Sequence, residues 1–74
     1  MKILLNNNLE IIHTSDEIIC INDILTFKNF SQKRFIAMVN NKVVKNENFD
    51  IPMIREGDMV QIIHQMNIFQ YATH

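Results

Sequence analysis

Glycine and proline each occur once in this chain of 74 residues, at Gly57 and Pro52. Usage this low argues against a flexible linker and against a glycine-rich phosphate loop. Cysteine also occurs once, at Cys20. No disulfide can support the fold, and a lone thiol points to a reducing compartment. Long hydrophobic runs are missing too, since no stretch approaches the roughly 20 apolar residues that span a bilayer. The opening Met1-Lys2-Ile3-Leu4-Leu5-Asn6 is too short an apolar run for a signal peptide and has no small-residue cleavage site. A mature cytoplasmic protein without membrane contact is expected. A net charge of -1 supplies no broad field to attract nucleic acid.

What is present suits a small globular domain. The hydrophobic fraction is 47%, so the chain should fold, although its length allows only a thin core. One domain over residues 1–66 and a tail over 67–74 are expected. The 13 isoleucines and 10 asparagines carry no functional reading by themselves.

Local signals give an order of elements. Met1–Asn6 and Leu9–His13 are short apolar runs around a predicted turn at Asn7-Asn8, because asparagine tolerates left-handed backbone angles. Together they read as a hairpin. Ile18, Ile21 and Leu25 recur at helical spacing, with Ile24 beside them. Thr14 and Glu17 have capping-box spacing, which would start a helix near Ser15. The β-branched run Ile18-Ile19-Cys20-Ile21 equally suits an extended entry, and a helix over Cys20–Asn29 is the preferred reading. Ser31–Arg34 reads as a loop. Phe35–Val39 is a strand, Asn40-Asn41 a turn, and Val43-Val44 the returning strand. Pro52 cannot donate to a ladder, so Ile51-Pro52 belongs to a connection or an edge. Gly57 can supply a positive φ in the turn Glu56-Gly57-Asp58. Met59–His64 is the last strand. Two strands, a helix and two or three more strands make an α+β β-grasp fold, one helix packed on a small mixed sheet of four or five strands.

No catalytic or metal-binding constellation emerges. His13, His64 and His74 lack ligand spacing, and Cys20 as a fourth donor would need a distant convergence. Cys20 beside His13 is a conceivable nucleophile pair, but a small buried or helix-start cysteine is the simpler reading. The carboxylates are scattered. Glu56 and Asp58 flank a turn, and no acid–base pair stands out. Lys28, Lys33 and Arg34 around Phe30 form a weak basic patch, better read as a solvated loop. No cofactor and no enzymatic activity are expected.

Strand alternation says more. If Ile3, Leu5, Ala37, Val39, Val60 and Ile62 face the helix, then Leu4, Ile36, Met38 and Ile63 line the opposite face of the sheet. A two-layer fold leaves that face without internal cover, and a contiguous exposed apolar patch marks a partner surface. Ile68, Phe69 and Tyr71 in the tail could prolong the last strand, fold over the open face or pair with another copy.

Three segments carry a family resemblance. They are Met1-Lys2-Ile3-Leu4-Leu5-Asn6-Asn7, then Ile36-Ala37-Met38-Val39-Asn40-Asn41-Lys42-Val43-Val44, then Ile54-Arg55-Glu56-Gly57-Asp58-Met59-Val60-Gln61-Ile62-Ile63. In order and spacing they resemble the ThiS and MoaD sulfur carriers, ubiquitin-like proteins of which ThiS serves thiamine (thiazole) biosynthesis. Phe49 falls where many members carry a tryptophan. The resemblance implies protein partners, such as a ThiF-like adenylating enzyme or thiazole synthase, and docking through the open sheet face. It also implies a Gly-Gly terminus, whose last glycine is adenylated and converted to a thiocarboxylate. After Met66 the chain instead reads Asn67-Ile68-Phe69-Gln70-Tyr71-Ala72-Thr73-His74. The expectation is a degenerate or repurposed member acting through protein contacts. The alternative is a β-grasp interaction module unrelated to sulfur transfer.

Overall fold

The computed structural model describes residues 1–30 and 35–64, with His64 described by its backbone alone. Strands β1 (Lys2–Leu5) and β2 (Asn8–Ile11) form a hairpin, followed by helix α1 (Ile21–Phe27). A second hairpin, β3 (Phe35–Val39) and β4 (Lys42–Val44), leads through a 3-10 turn at Asn46–Asn48 to β5 (Met59–His64). The sheet order is β2-β1-β5-β3-β4, with β1 and β5 parallel and the other neighbours antiparallel. One helix on a five-stranded mixed sheet, with the last of these strands in the centre, is the ubiquitin-like β-grasp fold.

Asparagine performs the turning that glycine usually performs. Asn6 and Asn7 have φ of 50° and 70°, and Asn40 and Asn41 have φ of 51° and 70°. Two consecutive left-handed residues between paired strands are the hairpin turn that matches strand twist. The first turn lies one residue earlier than the predicted Asn7-Asn8, because Leu5 pairs with Asn8 and leaves Asn6-Asn7 as the link. Asn29 (φ 59°) closes the helix. The Asn29 N–H donates to Thr26 O at 3.1 Å, and the Phe30 N–H to Leu25 O at 2.9 Å. These two bonds satisfy carbonyls that the last helical turn leaves open. The helix therefore ends at Phe27, short of the expected Asn29.

The later helix start is the one adopted. Cys20 is the N-cap, and the Asp23 carboxylate accepts the Cys20 N–H at 3.1 Å. Thr14 and Glu17 make no capping box. Thr14 Oγ1 instead accepts the Asp16 N–H at 3.0 Å in a local turn. The chain bends again at Glu17 and Ile18, and Ile19 forms an isolated bridge with Ile54.

The core lies between α1 and the sheet. Ile21 and Ile24 of the helix meet Ile3, Leu5, Ala37, Val39, Val60 and Ile62 from the sheet. Ile12, Ile19, Phe35, Phe49 and Ile54 close its margins. All six sheet residues assigned by alternation to the helix side are buried. The final turn is clasped to β1. The Gly57 N–H donates to Lys2 O at 2.7 Å, and the Lys2 N–H to Glu56 Oε1 at 3.1 Å. Gly57 has φ +87°, a conformation that L side chains rarely adopt.

Candidate protein-binding face

The strand registers assemble the face opposite α1. Leu4 stands between Leu9 of β2 and Met59 of β5. Met38 stands between Val43 of β4 and Gln61 of β5, and Ile36 is paired with Ile63. Neighbouring rows thus give an apolar surface that reaches all five strands, interrupted by Gln61 and, beside Ile11, by Lys2. Leu4 is 40% exposed, Ile63 45%, Leu9 65% and Val43 67%, while Ile36 and Met38 are half-buried by their neighbours. Sequence alternation placed Leu4, Ile36, Met38 and Ile63 here; the register sets Ile36 beside Ile63 with Met38 next along β3, and puts Leu4 beside Met59 at the other end of β5. Leu9, Ile11 and Val43 were missed. Register was the missing information, since Leu9 and Val43 are cross-strand to residues already assigned to the face, and Ile11 to Lys2 on the same side of β1.

This face is displayed by a well-held frame. The Asn6 and Asn40 side chains both bond to β5 from the turns on either side of it. Asn6 Oδ1 accepts the Ile62 N–H at 2.9 Å and Asn6 Nδ2 donates to Ile62 O at 3.2 Å. Asn40 Oδ1 accepts the Met59 N–H at 3.0 Å, and its Nδ2 donates to Asp58 Oδ1 at 3.2 Å. These contacts tie both hairpins to the central strand.

The polar residues do not converge on a chemical centre. Among the described residues no group of three or more His, Cys, Asp or Glu could hold a metal ion. Cys20 is buried. Burial is the main cause raising its thiol pKa, with the Asp23 carboxylate adding to it and the Asp23 and Asn22 N–H groups opposing. A thiol so placed is the reverse of an activated nucleophile. His13 is exposed at the rim of a cleft. Lys28 is engaged by Glu10, Nζ to Oε2 at 2.9 Å, which ties α1 to β2. Lys33 and Arg34 lie outside the described residues, as do the tail residues Ile68, Phe69 and Tyr71 and the expected boundary after Met66. Among the described residues no helix is long and apolar enough to cross a membrane.

No protein-family model and no curated protein matches the sequence. The structure is similar to the crystal structure of a thiamine biosynthesis protein (ThiS) from Geobacter metallireducens. The TM-score is 0.75 at 20% identity, over 86% of this chain and 93% of that one. At that identity the likeness is one of fold: this chain shares the β-grasp architecture of that ThiS.

Proposed function

We propose that this chain is a ThiS-like protein of a cytoplasmic sulfur-transfer system that works through protein contacts and catalyses no reaction itself. The observation carrying this reading is the apolar open face around Leu4, Ile36, Met38 and Ile63, set on the fold of a thiamine biosynthesis protein. A surface of this kind is stabilised when a partner removes it from water. The first partner proposed is a ThiF-like adenylating enzyme, and the second is thiazole synthase. Sulfur carriage on these 74 residues is not part of the proposal. Their one glycine, Gly57, is held in the turn before β5, and no Gly-Gly is present for adenylation.

The test is titration calorimetry of the chain against each partner, with Leu4→Lys and Ile63→Lys as variants. Wild type should bind one of them. Placing a charge in a desolvated contact should weaken affinity about tenfold or more per substitution. Incubation with the adenylating enzyme and ATP should leave the chain's mass unchanged. A thiocarboxylate on His74 would overturn the carrier-inactive reading. The lack of Gly-Gly favours a second reading, an interaction module outside sulfur transfer. Absence of binding to both partners would select it.

A further inference from the structure

The outer edge of β2 is built differently from the open face. Met1 and Ile12 exchange two hydrogen bonds, at 2.8 and 2.7 Å. That reciprocal pair fixes the parity of the hairpin ladder, because bonded and non-bonded pairs alternate along antiparallel strands. Glu10 and Asn8 therefore direct their backbone groups at β1. Leu9 and Ile11 direct theirs away from it, and the alternation continues to His13. Among the described residues no strand lies beyond β2, so this edge presents a run of backbone donors and acceptors. The opposite edge strand, β4, has three residues, begins with Lys42 and gives way at once to the 3-10 turn. Short strands and lysine are features that discourage added strands. β2 is one residue longer, carries no lysine and runs on without a helical turn toward His13.

A cleft of about 280 Å³ continues this edge toward the helix. Ile12 and Ile19 form its buried apolar floor and Phe27 an exposed wall. Asp16 and Asp23 stand on its rim, both exposed. Lys28, the cation at the C-terminal cap of α1, is occupied by Glu10. A strand added to β2 would send alternate side chains to the two sides of the sheet. One set would lie over Leu9 and Ile11. The other would enter the cleft, where an apolar floor below two carboxylates suits a long basic side chain that buries its stem and keeps its charge at the rim.

We infer that the β2 edge and the adjoining cleft are a strand-addition site for an extended peptide that alternates apolar and basic residues. Its backbone pairs with Leu9 and Ile11, and its lysines or arginines face Asp16 and Asp23. This surface meets the one proposed for a sulfur-transfer partner at Leu9 and otherwise runs along the sheet edge toward α1.

The probe is a short blocked peptide of alternating valine and lysine, titrated into the full chain and followed by two-dimensional NMR. Amide shifts should concentrate at Leu9, Ile11, His13, Thr26 and Phe27. The same peptide with N-methylated backbone amides should bind about tenfold more weakly or worse, because it cannot donate to the edge. Asp16→Asn, which removes a charge from an exposed rim, should weaken binding by about three- to fivefold. A valine–glutamate peptide should not bind. Equal binding of the N-methylated peptide would overturn the inference. So would shifts confined to Leu4, Ile36 and Met38, or no binding at millimolar peptide. Concentration-dependent shifts at Leu9 and Ile11 without peptide would replace the peptide by a second copy of this chain.

Discussion

Asn6 and Ile62 are joined as if they were paired strand residues, although one of them contributes only its side chain. The Asn6 carboxamide accepts the Ile62 N–H and donates to the Ile62 carbonyl, at 2.9 and 3.2 Å. It extends the β1–β5 ladder one step past the end of β1, while its own backbone is turning away at φ 50°. Asn6→Ala should lose both bonds and force alanine into the left-handed region, for about 2–4 kcal/mol in all. Asn6→Gly loses the bonds without the backbone strain and should be about 1 kcal/mol milder. Urea denaturation measures both. Equal losses would show that the conformation contributes nothing.

Asn7 and Asn41 occupy the second turn positions at φ 70° and make no side-chain hydrogen bond among the described residues. Glycine is the preferred residue there. Asn7→Gly and Asn41→Gly should leave stability unchanged or raise it by up to about 1 kcal/mol. A thermal melt separates this outcome from the loss expected at Asn6.

Ile54 and Ile63 test the assignment of the two layers. Ile54 is fully buried beneath the helix approach, whereas Ile63 is 45% exposed on the open face. Ile54→Ala should cost about 2–5 kcal/mol, enough to unfold much of a domain this size. Ile63→Ala should cost under about 1 kcal/mol. Circular dichroism melts of the two variants should differ plainly, and similar melts would contradict the layering.

Cys20 gives stability a dependence on pH. Its thiol pKa in the folded chain is raised above the ordinary 9.0, chiefly by burial. The folded state therefore holds its proton more tightly than the unfolded state. The thiol's contribution is fully present below the unfolded pKa and is lost as pH rises through the folded one. Unfolding free energy should be flat near neutrality and fall above about pH 9, with a smaller fall in Cys20→Ala. Under native conditions a thiol reagent should react about tenfold or more slowly than in urea.

Much of the fold is legible because the strands alternate strictly. Ile3, Leu5, Ala37, Val39, Val60 and Ile62 could be assigned to one side from period alone, and the helix stripe of Ile21, Ile24 and Leu25 faces them. Boundaries were harder because asparagine is ambiguous. It can be a solvated loop residue or stand in for glycine: the Asn40-Asn41 turn is legible, the first turn is expected one residue late, and only the backbone shows that Asn6 and Asn29 also take left-handed angles. The Thr14–Glu17 spacing suggests a cap that does not form: Thr14 Oγ1 accepts the Asp16 N–H in a local turn, and Ile19 bridges Ile54 before the helix begins. The cleft beside β2 was invisible. Its walls come from residues as distant in sequence as Ile12 and Phe27, and no local pattern reports how two elements lean together.

The parallel pairing of β1 with β5 governs how the chain must be assembled in the cell. Asn6 and Ile62 are 56 positions apart, and the residues that fill the middle of the sheet are made after both hairpins. A nascent chain emerging from the ribosome would hold two separate ribbons, each with an unpaired inner margin, until β5 arrived to join them. Folding is then a single late event dominated by distant contacts, slower than for helical chains of similar length. The interval before it is when the ribbons are most open to misassociation.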